Sequence, residues 1–140
     1  MKRLERITIL VFGTFAVLLI VMQTAGCGMC KDTWITEATS PNGRLKAVTF
    51  VLGCGATTGN DTRVVILLSN QLLEDTTDHI FCVDDDVGKI RGLIGPDRAV
   101  PLKLHWDSDK VLVISYPRRA RVIEQGKKMR GVSIRFEPID

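Results

Sequence analysis

Residues 7–22 carry no charged side chain and are almost wholly apolar. A small globular domain has no interior large enough to take such a run whole. Lys2, Arg3 and Arg6 stand before it, and Thr24-Ala25-Gly26-Cys27 close it. A basic flank, an apolar stretch of this length and small residues at its end have the form of a secretory signal peptide. The fold is therefore expected in the residues C-terminal to it. Taking residues 1–26 from the 140 leaves 114, enough for one small domain. The organisation expected is a signal peptide or apolar membrane anchor over 1–26, a tether and first strand over 27–39, and a single β domain over 40–140.

Ala25-Gly26-Cys27 resembles the lipobox of bacterial lipoproteins, with Thr24 where that signal usually carries Leu. The resemblance implies that Cys27 is lipidated and becomes the new N-terminus. The domain is then expected in a bacterial cell envelope, anchored to a membrane and outside the cytoplasm. Two other readings stay open. Residues 7–30 are uncharged, and at about 1.5 Å each a helix of that length crosses a hydrocarbon core of about 30 Å, as an uncleaved single span would. Against that, the strongly apolar part ends at Met22, which suits a signal better than a span. Cleavage by an ordinary signal peptidase would need small residues around a different cut.

Charge acquires a different meaning once this segment is set aside. The chain has 19 Lys+Arg and 16 Asp+Glu, a net +3. Lys2, Arg3, Arg6 and Glu5 lie in the first 26 residues, so the remainder has 16 bases against 15 acids, or +1. That balance gives no support to nucleic-acid binding. The distribution is more telling. Six acids and no Lys or Arg fall in 74–86, whereas Arg118, Arg119, Arg121, Lys127, Lys128 and Arg130 face only Glu124 in 118–130. One reading is a basic edge that meets anionic lipid headgroups or another polyanionic envelope component. The other is a pair of solvated loops, facing each other in the fold.

Four cysteines are present, Cys27, Cys30, Cys54 and Cys82. A lipidated Cys27 leaves three, an odd number for an oxidising compartment. Cys30–Cys54 and Cys54–Cys82 are both possible disulfides. Either closes a loop of about 25–30 residues, for roughly 3–4 kcal/mol in the chain-entropy model, and the first ties the segment after the anchor to the domain. Metal and cofactor sites are not expected. His79 and His105 lack the close Cys or His spacing of a zinc site, and Asp84-Asp85-Asp86 lacks the alternating spacing of a calcium loop. The loop 55–59 has Gly and Thr residues but no following helix or Lys to cradle a phosphate.

After Lys31 no segment sustains a 3.6-residue apolar period, and the chain reads as short strands between turns. Strands are expected over 34–38, 45–52, 62–68, 80–83, 102–106, 110–116, 119–123 and 132–136, with 102–106 and 110–116 a hairpin around the turn at 107–109. Ser40-Pro41-Asn42-Gly43 is a strong turn. Residues 62–68 are nearly all apolar, as a strand buried on both faces requires, and Leu102, Leu104 and Trp106 alternate with Lys103 and His105. Residues 84–97 read as an irregular loop, and 67–73 has room for a helical turn. Segments 119–123 and 132–136 are expected to pair around a turn at 125–130, with Val132, Ile134 and Phe136 on one face. The fold class is all-β, a small antiparallel meander, sandwich or partly open barrel of about seven or eight strands.

The stretch Ser40-Pro41-Asn42-Gly43-Arg44-Leu45-Lys46-Ala47-Val48, then Cys54-Gly55-Ala56-Thr57-Thr58-Gly59, then Trp106, resembles a family of small uncharacterised bacterial envelope lipoproteins. That resemblance covers most of the chain after the signal and brings no catalytic residues. It implies pairing of Cys30 with Cys54 and leaves Cys82 as an addition. The function expected is a non-enzymatic lipid-anchored protein that contacts another envelope component. Partners would be the membrane, through lipid on Cys27 or an apolar helix, and an envelope protein or anionic surface. The rival is a small envelope hydrolase using Cys82 or His79 beside the acidic loop.

Overall fold

The computed structural model describes residues 31–53, 60–76, 78–86, 88–95 and 98–140, with the side chains of Lys31 and Asp75 excepted. Nine strands form among them: β1 (Lys31–Thr39), β2 (Leu45–Gly53), β3 (Asp61–Leu68), β4 (Phe81–Asp84), β5 (Lys103–Ser108), β6 (Val111–Pro117), β7 (Arg121–Gln125), β8 (Lys128–Met129) and β9 (Val132–Ile139). They make two sheets, ordered β1-β2-β3-β4-β7 and β5-β6-β9-β8, and neither closes into a barrel. The expected all-β class holds, as an open sandwich.

Local chemistry explains most of the strands. Gly43 takes a φ of 70° in the β1–β2 turn, a conformation glycine adopts without the penalty a Cβ brings. Ser40 locks the turn by hydrogen-bonding Leu45 through both backbone and hydroxyl, and the Asn42 amide donates to Asp109 in the β5–β6 turn at 2.8 Å. β3 is buried on both faces: Val64 and Ile66 join the core between the sheets, and Val65 and Leu67 pack with Val48 and Phe50 on the outer side. From the second sheet Trp106, Leu112, Ile114, Val132, Ile134 and Phe136 enter that central core. The alternation in 102–106 and 132–136 thus marks the faces as expected.

Pairing departs from expectation at the C-terminal third. Segments 119–123 and 132–136 do not pair with each other. β7 crosses to the first sheet and pairs antiparallel with β4, while β9 lies parallel to β6 in the second. Two contacts favour this crossing. Arg121 meets the buried carboxylate of Asp84, and the Gly126 amide donates to the Ile80 carbonyl at 2.8 Å. The meander is therefore broken by one parallel pair. The helical turn allowed at 67–73 is a 3-10 turn at Leu73–Asp75, because Leu67 and Leu68 complete β3. The segment from Asp85 to β5 is irregular among its described residues, apart from a bridge between Ile94 and Ala99.

Strand register also defines two ends of the sandwich. Lys31 pairs with Gly53, Leu52 with Asp61, Thr62 with Val83, and Asp84 with Arg121. These positions therefore share one end, the near end. Lys103 opposite Ser115 and Pro117 opposite Ile139 mark the same end of the second sheet. The Thr62 hydroxyl joins the two layers there by accepting from the Val100 amide at 2.8 Å. At the far end lie the Ser40–Gly43 turn and Asp109, with Arg130 bonded to the Ile66 carbonyl at 2.9 Å.

Candidate anion-binding cleft

The near end carries a cleft of about 680 Å³, within the range of small-molecule sites. Four separate stretches of chain build it. Lys89, Ile90 and Arg91 come from the loop leaving β4, and Pro101 and Lys103 from the entry to β5. Pro117, Arg118 and Arg119 come from the end of β6 and the turn after it, and Ile139 and Asp140 close the wall. Ile90 is buried and belongs to the central core, so the apolar floor continues the packing between the sheets.

Among the described lining residues, five cations stand around that floor against one side-chain carboxylate, that of Asp140. Arg118 donates from Nε to Asp140 at 3.1 Å, and Lys89 is ion-paired with Asp86. Arg91, Lys103 and Arg119 are exposed and have no ion pair with any described residue. The uncompensated positive charge of the cleft rests on these three. No Ser, Thr, Cys or His lines it among the described residues. An anion with an apolar portion matches such a surface, by charge at the rim and by contact with Ile90, Pro101, Pro117 and Ile139 below.

The basic run expected as one edge is divided. Arg118 and Arg119 line the cleft. Arg121 is consumed by Asp84, to which it donates from Nε at 3.1 Å to each oxygen and also from Nη2. Lys127, Lys128 and Arg130 follow β7, whose five residues at about 3.3 Å each separate the two groups by roughly 16 Å. Arg130 is committed to the Ile66 carbonyl and to Gln71, whereas Lys127 and Lys128 are exposed. Sequence adjacency hid this division because a strand carries its two ends apart.

The acidic run is divided too. Asp84 meets Arg121, Asp85 lies 3.8 Å from Arg98, and Asp86 pairs with Lys89. Successive acids therefore serve three different cations. Burial would raise the Asp84 carboxyl, but hydrogen bonds from Arg121 and the Asp86 amide, with the guanidinium charge, hold it below the usual carboxylate range. Because the folded state keeps this carboxylate ionised to lower pH than the unfolded chain does, its stabilisation is present above about pH 4 and is lost as pH falls below that. Denaturant midpoints measured from pH 5 to pH 2 should accordingly fall more for the native chain than for D84N. Equal slopes would show that the pair contributes nothing.

Cys82 and His79 do not join the cleft. Cys82 is a free thiol only 2% exposed, so the Cys54–Cys82 disulfide is not formed. Burial first, then the charge of Asp61, pushes the thiol up, partly offset by Arg63. A nucleophile needs the thiolate and access, and this site disfavours both. His79 places Nε2 3.0 Å from Glu124, and His105 lies 3.4 Å from Asp107. No group of three or more His, Cys, Asp or Glu side chains fit to hold a metal occurs among the described residues. Cys27, Cys30, Cys54 and the loop 55–59, with the lipidation and disulfide expected there, lie outside the described residues.

The cleft residues span positions 89 to 140 and form no linear motif, so nothing in the sequence announced the site beyond Arg118 and Arg119. Comparison with protein-family models, curated proteins and solved structures finds no match for this chain.

Proposed function

We propose that this chain is a non-enzymatic, lipid-tethered domain of a bacterial cell envelope that binds an anionic envelope component. The tether is Cys27, and the domain follows it after a short linker. The observation that carries the binding half is the near-end cleft, in which Arg91, Lys103 and Arg119 present uncompensated charge over an apolar floor. The hydrolase reading has no comparable support, since the lining of this cleft excludes Cys82 and His79.

Binding of a soluble polyanion is the direct test. The detergent-held chain should bind polyphosphate, more weakly as salt is raised. Neutralising Arg91, Lys103 and Arg119 together to Gln should weaken binding by at least tenfold, at about 1 kcal/mol for each cation against an anionic surface. Unchanged affinity in that triple variant would overturn the reading, and loss on neutralising Lys127 and Lys128 instead would move the site to the far end.

A further inference from the structure

The position of the cleft relative to the point where the chain enters the domain says what faces it. Lys31 begins β1 opposite Gly53, at the near end, and stands four residues after Cys27. Four residues span at most about 14 Å when fully extended. The eight or nine residues of β1, β2, β3 or β9 run about 27–30 Å at roughly 3.3 Å each. A domain held at Cys27 by so short a linker cannot turn its far end to the bilayer, because the linker would have to cover the whole length of the sandwich. Its near end and its flanks remain within reach.

Charge chooses between those. Among the described acids nearest the cleft, Asp61 is held by Arg63, Asp84 by Arg121, Asp85 by Arg98, Asp86 by Lys89 and Asp140 by Arg118, while Asp32, at the start of β1, does not line the cleft. Arg91, Lys103 and Arg119 are left to attract an external anion. Ile139 in the cleft wall, and Ile94 in the loop leaving β4, are exposed apolar residues of the same region. A cationic rim with exposed aliphatic side chains fits the boundary of an anionic bilayer, where charge meets headgroups and apolar atoms meet the upper acyl region.

We infer that the domain stands near end down on its own membrane and that the cleft takes the headgroup of an anionic phospholipid. This rests on the proposed tether at Cys27. The phosphodiester is met by Arg91, Lys103 and Arg119, and the glycerol and first methylenes lie over Ile90, Pro117 and Ile139. Lys127 and Lys128, at the other end of β7, are held away from the surface. Lipid on Cys27 supplies retention, and the cleft supplies orientation and a preference for anionic lipid.

The test is hydrogen exchange on the full mature chain in phosphatidylcholine vesicles, with and without phosphatidylglycerol, and in phosphatidylcholine vesicles with inorganic phosphate in solution. Segments 88–95 and 118–121 should exchange more slowly only with phosphatidylglycerol, and 40–44 and 108–110 should be unchanged. Each Gln substitution at Arg91, Lys103 or Arg119 should weaken the contact by about fivefold. Equal protection by inorganic phosphate would overturn the lipid assignment, and protection of 40–44 would overturn the orientation. No protection by either, in a chain whose polyphosphate binding still depends on the three cations, would overturn this inference and leave the proposed function standing. A chain that floats with neither kind of vesicle would overturn both.

Discussion

Phe81→Ala is expected to destabilise the fold by about 3–5 kcal/mol, the range for removing a fully buried aromatic ring. Phe81 is 0% exposed in β4, a strand of only four residues. Its ring lies 5.2 Å from those of both Tyr116 and Phe136, tilted at 50° and 37°. Those two belong to β6 and β9, so Phe81 is a contact between sheets, made where the parallel pair of the second sheet meets the short strand of the first. Small domains have net stabilities of about 5–15 kcal/mol, so the loss is a large share of the total. The measurement is the urea midpoint followed by tryptophan fluorescence. Trp106 is 8% exposed and Trp34 57% exposed, so the signal reports mainly on Trp106 leaving the core. Ile123→Ala is the control: at 54% exposure it should move stability by no more than about 0.5 kcal/mol. A Phe81→Ala effect under about 1 kcal/mol would show that the ring cluster is not packed as described.

Cys27→Ser is expected to have the largest effect on where the protein is held. In the proposed maturation the thiol receives the lipid and marks the cut, so a hydroxyl in its place removes both. Intact-mass analysis of the membrane fraction should find a lipidated chain beginning at Cys27 in the native protein. The variant should show all 140 residues, unlipidated. A native chain that is itself full length and unlipidated would end the tether proposal and favour a single membrane span over 7–30. More than one acyl chain is needed for stable anchoring, since a single chain gives only marginal and reversible binding. The lipid mass therefore also reads how firmly the domain is held.

Much of the sandwich was legible residue by residue. Leu102, Leu104 and Trp106, and Val132, Ile134 and Phe136, announced their inward faces by alternation, and the apolar run in 62–68 announced a strand covered on both sides. The Ser40–Gly43 turn was readable because Pro41 and Asn42-Gly43 act on their own backbone; the Ser40 hydroxyl bond to Leu45 came only with the structure. Each of these is a local property, set by backbone geometry and by which side of a strand must be dry. The uncharged apolar run over 7–22 is likewise a property counted along the chain.

Partnership was not legible. Alternation in 132–136 says which side chains turn inward but not which strand lies alongside, and proximity in sequence favoured a hairpin with 119–123. The tertiary structure decided otherwise because Asp84 is buried on β4 and Arg121 reaches it, while β9 gains a full ladder beside β6. The same choice splits the basic run between two ends of the molecule and gathers Lys89, Arg91, Lys103, Arg118 and Arg119 at one of them. What the sequence by itself determined was the all-β class and the faces of its strands. What only the tertiary structure decided was the parallel pair and the cleft, since both depend on contacts between residues tens of positions apart.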